Sequence, residues 1–401
     1  MNNPILTEAT ALAEQLRTDR RWLHSHPETG FALTQTKEYV KKRLTEIGLE
    51  PSECGKCGLI VTICGSRPGK TFLLRADMDA LPIHEEADVP FASTNGNMHA
   101  CGHDMHTAML LGAATLLSKH RHQLQGNVKL MFQSAEEIFE GAEDMIENGA
   151  LNGVDAAMMI HVTAGMPMEV GTVIVSAPGV SAPAADYFTI RVQGKGCHGS
   201  APQNGVDALT AASHILIALQ ELHARELSSS DEAVLTIGTM QGGSAANAIA
   251  DSAQLSGTIR TYDELTRAFL KKRLPEISRG IAVAFRAEAN VEFGSDCPTL
   301  TNNKELSGLV YGYVSELLGK DRAISAAAMA VGGQPARGGG SEDFAYVSHK
   351  VPSLMLALAA GRPENGYRFP QHHPKVKFDE SVLPIGTAVF TQCAIEYLNV
   401  K

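Results

Sequence analysis

Residues 98–107 read MHACGHDMHT, which brings three histidines, one cysteine and one aspartate together. Gly102 allows a sharp backbone turn between Cys101 and His103. The apolar run 108–117 follows directly and predicts a buried helix. We therefore expect the cluster in a loop at a helix N-terminus, where ligand groups are often presented. Because thiolate and imidazole are soft-to-borderline donors, the stretch predicts a site for zinc or a neighbouring transition metal.

Length, charge and cysteine usage exclude several classes of protein. The chain has 401 residues, enough for two domains with a large core. Its formal net charge of -10 provides no cationic excess, so we expect no nucleic-acid partner and no anionic membrane partner. No window predicts a transmembrane helix or a signal peptide. Seven cysteines, an odd number, argue against a disulfide framework, and we expect a cytoplasmic protein.

Three apolar segments, 72–75, 128–132 and 156–160, predict strands that are buried on both faces. Helical segments lie between them, which is typical of an α/β architecture. Each strand is followed by acidic or imidazole side chains, which are Asp77, Asp79, Glu136, Glu137 and His161. Ligands bind beyond the carboxyl ends of the strands in such sheets. We therefore expect these side chains on one rim, where the Cys101–His103 loop can join them.

A second domain is predicted between two linkers, 176–185 and 294–298, which are rich in small residues and proline. The pattern between the linkers follows the order β-α-β-β-α-β, which is typical of a ferredoxin-like unit. The predicted organisation is an α/β domain formed by residues 1–185 and 299–401, with an inserted α+β domain at 186–298.

The candidate metal ligands number five: Cys101, His103, Glu137, His161 and either His372 or His373. Five ligands are too many for one closed tetrahedral zinc site. They suit two metals that share a bridging group and leave positions for water and substrate. Glu136 lies next to a ligand in the sequence. Its carboxylate is placed to act as a general base on a metal-bound water and then to protonate a leaving nitrogen.

Several segments resemble, in content and order, those of the M20 metallopeptidase family. They are RADMDALP (75–82), MHACGHDMHTAMLLGAA (98–114), SAEE (134–137), IHV (160–162), GKGCHGSAP (194–202), Ala246–Asn247, GTIR (257–260) and GSEDF (340–344). The resemblance covers nearly the whole chain. It is strongest to the amidohydrolase branch, which includes hippurate, auxin-conjugate and N-acyl-amino-acid hydrolases. It implies a dinuclear catalytic domain and a lid domain through which the protein forms a homodimer or a larger oligomer.

The resemblance also implies a role for individual residues. Cys101 would bridge the metals, and the set would be completed by His103, Glu137, His161 and His372, the last because it stands two residues before a proline. Glu136 would be the general base, and Asp79 would orient a metal ligand. In the lid domain, His198 would contact the scissile carbonyl of the substrate. Asn247 and Arg260 would bind other parts of the substrate. A salt-bridged strand end is the alternative for Arg260.

The chain departs from other M20 branches at two positions of the site. Those branches have a histidine ligand where this chain has Asp77 and a bridging aspartate where it has Cys101. A thiolate bridge is softer and can be oxidised. The two divalent ions per subunit are therefore expected to be zinc or manganese, with cobalt and nickel as alternatives.

The predicted function is metal-dependent hydrolysis of N-acyl amino acids to a carboxylic acid and a free amino acid. A dipeptidase, a carboxypeptidase or a diaminopimelate-type deacetylase could use the same site. A cysteine hydrolase with Cys101 as nucleophile and His103 as base is an alternative of another class, which the additional ligands disfavour. A non-catalytic binding protein is disfavoured by the intact Glu136 beside a full ligand set.

Overall fold

The computed structural model describes residues 3–330 and 337–399. Its helices, α1–α10 in chain order, are Pro4–Ala11, Ala13–Ser25, Thr34–Glu46, His103–His120, Gly141–Glu147, Ala208–Ala218, Glu264–Ala284, Lys304–Leu318, Phe344–Ser348 and Leu383–Asn399. Its strands, β1–β16, are Ser52–Cys54, Gly58–Cys64, Arg67–Asp77, Gln125–Gln133, Ala156–Thr163, Val173–Val175, Gly179–Ala182, Ala184–Gln193, Cys197–His198, Ala233–Gly242, Ala248–Ile249, Ser252–Thr261, Glu288–Cys297, Leu300–Asn302, Ala323–Ser325 and Ser353–Ala359. None of these helices is both long enough and apolar enough to cross a membrane.

The chain divides into two compact units. The first comprises Met1–Ser181, Thr301–Arg337 and Asp343–Lys401, and the second comprises Ala182–Leu300 and Gly338–Glu342, within the ranges that the structure describes. The segment Gly338–Glu342 was expected in the first domain. It joins the second unit because the Tyr262 hydroxyl donates to the Gly338 carbonyl (2.9 Å) and because an Arg260 nitrogen donates to Ser341 Oγ (2.6 Å). The role of the second unit as a lid and dimerisation domain stays a prediction.

The first unit is built on an eight-stranded sheet with the order β1-β2-β4-β3-β5-β16-β6-β15. Its central strands β4, β3, β5 and β16 run parallel, so that their carboxyl ends lie at one edge. This sheet confirms the three predicted buried strands and the α/β class. Asp77 ends β3, residues 134–137 follow β4, and His161 lies near the end of β5. The polar side chains predicted to share a rim therefore follow neighbouring strands.

Helix α4 begins earlier than the apolar pattern indicated. It starts at His103, so only residues 98–102 of the histidine-rich stretch form a loop. Gly102 precedes the helix with a φ of +98°, in the left-handed region that glycine adopts without strain. A Cβ at this position would collide with the side chain of Val162. The glycine therefore provides both the turn and the close approach of α4 to β5. The helix is buried along most of its length and packs against α2 and α10.

The second unit contains a four-stranded antiparallel sheet with the order β10-β12-β8-β13. Helices α6 and α7 pack against each other and against this sheet. Its core includes Ile190, Leu255 and Leu270, all fully buried. The chain order of these elements is the predicted β-α-β-β-α-β arrangement. The ferredoxin-like part of the predicted fold class is thereby confirmed.

Both predicted linkers contain more regular structure than expected. The stretch 176–185 includes β7 and the start of β8, and the stretch 294–298 includes the end of β13. Ala184 and Ala185 are fully buried in β8, and Ala185 pairs with Cys297 of β13. Small residues are present here because the strands are closely packed. A closely packed strand and a flexible linker can both be rich in small residues, so composition alone does not distinguish them.

Candidate metal centre

Five side chains that were predicted as metal ligands come together at the carboxyl edge of the first unit's sheet. They form two overlapping triads, in each of which the candidate ligand atoms lie within 4.8 Å of one another. The triads are Cys101–His103–His161 and Cys101–Glu137–His372. Cys101 belongs to both triads, and its Sγ lies 3.4 Å from His161 Nε2. The geometry of the donors therefore suits two cations with the thiolate between them.

Two buried atoms of this cluster have no hydrogen-bond partner among the described residues. They are His103 Nε2 and Glu137 Oε1, which lie 3.9 Å apart. Buried polar atoms are almost always satisfied, so an exception requires an explanation. A divalent cation bound by imidazole nitrogen and carboxylate oxygen would satisfy both atoms. The donors present thus fit a soft-to-borderline divalent metal.

Hydrogen bonds from Nδ1 orient two of the imidazoles. His103 Nδ1 donates to the backbone carbonyl of Asp79 (2.8 Å), and His161 Nδ1 donates to the carbonyl of Val162 (2.7 Å). Because a carbonyl oxygen only accepts, Nδ1 of each ring carries a proton. The lone pair of a neutral ring is then on Nε2, the atom that faces the cluster. Metal-binding histidines are commonly oriented in this way.

Burial shifts the pKa values of most members of the cluster toward their neutral forms, whereas at His103 the charge of Asp77 outweighs burial and raises the pKa of the imidazole well above its usual value. Burial raises the pKa of Glu137 to about 7 and lowers the pKa of His161 to about 3. Burial, reinforced by the charge of Glu137, also raises the pKa of the Cys101 thiol well above its usual value. An ionised thiolate and carboxylate are therefore costly here unless positive charge is nearby. Cations would provide that charge and hold both groups in the ionised form.

The Asp79 carboxylate holds the turn that carries Glu136 and Glu137. It accepts hydrogen bonds from the backbone N–H of Glu136 (3.0 Å) and of Glu137 (3.2 Å). Ala135, just before them, has a φ of +59°, which is strained for a residue other than glycine. The Glu136 side chain is buried, and its Oε2 lies 3.9 Å from His103 Nε2. Asp79 thus fixes the position of both carboxylates through the backbone.

The two adjacent histidines of the last loop have different surroundings. His372 Nε2 lies 3.6 Å from Glu137 Oε1, and the His372 N–H donates to the Ala100 carbonyl (2.9 Å). His372 also has a φ of +65°, a second strained position in the cluster. The ring of His373 stacks on Phe369, with centroids 4.2 Å apart. The structure therefore brings His372, and not His373, to the cluster.

The three residues predicted to contact substrate lie in the second unit. His198 is exposed, and its Nδ1 accepts the Ser200 N–H (3.2 Å). A neutral ring consequently carries its proton on Nε2. Asn247 is exposed, and its backbone carbonyl accepts a hydrogen bond from the Gly199 N–H (2.8 Å). Arg260 is half-buried and donates to Ser341 Oγ, and no ion pair to it is found among the residues that the structure describes.

Sequence reasoning assigned no role to His106, although it lies in the stretch 98–107. His106 is fully buried on α4, and its Nδ1 lies 2.6 Å from Asp77 Oδ1. The available signal was its spacing of three residues from His103, which puts both rings on neighbouring positions of one helix face. Asp77, the last residue of β3, hydrogen-bonds this ring.

Comparisons with known proteins give a consistent picture. A model of peptidase family M20/M25/M40 matches residues 73–396. The chain is 37% identical over 385 residues to an N-acetyl-L-cysteine deacetylase of Bacillus subtilis, covering 95% of this chain and 87% of the relative. It is 36% identical over 387 residues to an IAA-amino acid hydrolase of Arabidopsis thaliana, with 95% and 85% covered. The crystal structure of a dinuclear metal-binding M20 peptidase of Bacillus subtilis matches with a TM-score of 0.79 and 31% identity, covering 98% of this chain and 100% of the other.

Proposed function

We propose that this chain, which belongs to peptidase family M20/M25/M40, hydrolyses the amide bond of N-acyl amino acids. The products are a carboxylic acid and a free amino acid. The observation that carries the proposal is the pair of triads sharing Cys101, with Glu136 beside the ligand Glu137. The names of the deacetylase and of the IAA-amino acid hydrolase support an acylated amino acid as the substrate.

The proposed cofactors are two divalent cations per subunit, bridged by Cys101 and held by His103, Glu137, His161 and His372. The two unsatisfied buried atoms of the cluster support this assignment. Zinc and manganese are our first choices, and cobalt and nickel also suit a site of imidazole, carboxylate and thiolate. When bound, the cations supply Lewis acidity that polarises a carbonyl group and acidifies water.

Glu136 is the proposed general base. Its carboxylate accepts a proton from the attacking water while a C–O bond forms at the acyl carbon. It then donates this proton to the amide nitrogen as the C–N bond breaks, so that the products leave as an acid and an amine. Two observations support this role: the Glu136 side chain is buried, and its backbone N–H donates a hydrogen bond to the Asp79 carboxylate. Both fix the Glu136 carboxylate close to the cation ligands.

His198 of the partner subunit is the proposed donor to the oxyanion, with Asn247 and Arg260 binding the remainder of the substrate. The Nε2 proton of His198 supports the first role, because an N–H group can stabilise the developing negative charge. Dimerisation through the second unit is supported by the large apolar side chains that this unit exposes: Tyr187, Ile217, Val234, Met240, Leu265 and Val283. We further propose a cytoplasmic location, which the seven free cysteines support.

A substrate panel tests the proposed activity. The purified protein is stripped with a chelator, reloaded with zinc, manganese or cobalt, and assayed on N-acetyl, N-benzoyl and indoleacetyl amino acids and on dipeptides. We expect release of a free amino acid from at least one acylated substrate, only after metal is restored. Turnover of dipeptides alone would identify a dipeptidase. Full activity in the stripped protein would overturn the metal-dependent mechanism and favour a cysteine hydrolase.

A further inference from the structure

We propose that His106 and Asp77 form a positioning pair that orients His161 toward the cation site and thereby sets the affinity for the cation. The proposal rests on the cation site assigned above. It concerns two buried side chains, neither of which is in the proposed ligand set.

The hydrogen bonds of His106 fix its protonation. The backbone N–H of Val162 donates to His106 Nε2 (2.8 Å), so this nitrogen carries the lone pair. The proton of a neutral ring is then on Nδ1, which donates to Asp77 Oδ1 at 2.6 Å. Both nitrogens are thus engaged, and neither is left for a metal. His106 is therefore distinguished from His103, whose Nε2 has no hydrogen-bond partner among the described residues.

Val162 transmits the position of His106 to the ligands. Its N–H is held by His106, while its carbonyl accepts the Nδ1 proton of His161 (2.7 Å). The same carbonyl accepts the side-chain amide of Gln371 (2.9 Å), the residue before His372. The rings of His106 and His161 pack edge to face, with centroids 4.6 Å apart. A displacement of the Val162 backbone would therefore move two candidate ligands, His161 directly and His372 through Gln371.

Asp77 is anchored on its other oxygen. Its Oδ2 accepts a hydrogen bond from Arg75 Nη1 (2.6 Å), and both side chains are fully buried. Arg75 in turn donates to Gln133 Oε1 (2.9 Å) and to Asp343 Oδ1 (2.8 Å). The guanidinium group that holds Asp77 is therefore itself fixed by two further acceptors within the first unit. This rigidity is what a group that orients metal ligands through hydrogen bonds requires.

Three variants separate positioning from simple structural support. His106→Ala removes both hydrogen bonds. His106→Gln keeps one donor and one acceptor, and Leu111→Ala removes a fully buried apolar side chain of the same helix without touching a polar group. Each protein is loaded with cobalt, and its visible spectrum, its affinity in competition with a chelator and its melting temperature are measured.

We expect His106→Ala to bind cobalt about 10- to 100-fold more weakly and with an altered spectrum, the usual effect of losing a group that orients a metal ligand. His106→Gln should recover most of the affinity. Leu111→Ala should lower the melting temperature and leave the spectrum unchanged. If His106→Ala binds cobalt like the wild type, or no more weakly than Leu111→Ala, the positioning role is wrong. If the wild type itself binds no cobalt, the proposed function fails instead.

A measurement on the wild type covers the case in which His106→Ala does not fold. Nitrogen-15 spectra of labelled histidines should show one buried neutral ring with its proton on Nδ1, unchanged when zinc is added. The signal should be absent from His106→Gln. A zinc-induced shift of either His106 nitrogen would make this residue a ligand and overturn the proposal.

Discussion

His103 Nε2 and Glu137 Oε1 lie 3.9 Å apart, and neither has a hydrogen-bond partner among the described residues. In a protein interior such a pair is unfavourable, because each atom has lost water without gaining a partner. The position between them suits a cation that accepts lone pairs from both. Cys101 and Glu136 are placed around the same point, which makes Glu136 and its neighbour the first targets for mutation.

Glu136→Gln should lower turnover at least about a hundredfold and leave the metal content unchanged. The amide keeps the size of the side chain but cannot accept the proton from water. The matched variant Glu137→Gln should instead reduce the bound metal, which elemental analysis measures. If Glu136→Gln lost metal while Glu137→Gln kept it, the two roles would be reversed. Near-normal turnover in fully metallated Glu136→Gln would remove the base assignment.

Cys101 should react with iodoacetamide only after chelation, because a bridging thiolate is shielded while its lone pairs are shared with metal. In the stripped protein the reaction should be slow near neutral pH and accelerate as the pH rises, because burial raises the pKa of the Cys101 thiol. Peptide mass mapping before and after metal removal measures the labelling of each cysteine. Cys64 is exposed and serves as the internal control that reacts in both states. Equal labelling of Cys101 in the loaded and stripped protein would exclude the thiolate bridge.

His198 should act across a dimer interface, and complementation can test this expectation. Glu136→Gln and His198→Ala subunits, each nearly inactive alone, are dissociated, mixed and reassociated. A mixed dimer contains one site with an intact Glu136 and an intact His198 from the other chain, so activity should return to that site. Mixed dimers that form, as native mass spectrometry detects, and remain inactive would exclude action across the interface.

Gly102→Ala should be more destabilising than Gly96→Ala. Both glycines have a positive φ, +98° and +89°, so both variants carry the same backbone penalty of about 1–2 kcal/mol. Only the Cβ at Gly102 would collide with the side chain of Val162, whereas nothing lies within 4 Å of a Cβ at Gly96. Melting temperatures and cobalt affinities should both fall further in Gly102→Ala. Equal losses would show that the approach to Val162 is not tight.

Glu264→Gln should destabilise the protein at neutral pH and much less in acid. Burial disfavours the Glu264 carboxylate, but hydrogen bonds from Thr299 and Arg267 outweigh it and lower the pKa. A lowered pKa contributes stability above the unfolded value of about 4.3, and this contribution is lost as the pH falls through the folded pKa. The melting temperatures of variant and wild type should therefore converge below about pH 4. A constant difference across the range would contradict the assignment.

The sequence predicted the site best where a polar side chain stands at or just after the carboxyl end of an apolar strand. Asp79, Glu136 and His161 follow or end apolar segments, and parallel strands bring such ends to one edge. The same logic could not identify the partners of those groups. Nothing in the spacing indicates that the Asp79 carboxylate contacts two backbone N–H groups or that Val162 links His106 to His161. Such contacts depend on backbone turns, including the strained one at Ala135, that no periodicity reveals.

Composition was misleading at the predicted linkers and at the Gly-rich segment before Asp343. Small residues predict flexible connections, yet Ala184 and Ala185 are small because they lie in a closely packed strand. Residues Gly338–Glu342 follow the second unit because side chains of β12 hydrogen-bond to them, a long-range effect that local sequence does not contain.

The position of β16 between β5 and β6 has a consequence for synthesis on the ribosome. The strands and helices of the second unit lie within Ala182–Leu300, and it can assemble while the chain is still growing. The large sheet cannot be completed until β16, which follows the second unit in the chain, has emerged, because β5 keeps an open edge until then. His372 emerges later still. The five proposed cation ligands are therefore brought together only after β16 and the loop that carries His372 have followed the second unit out of the ribosome.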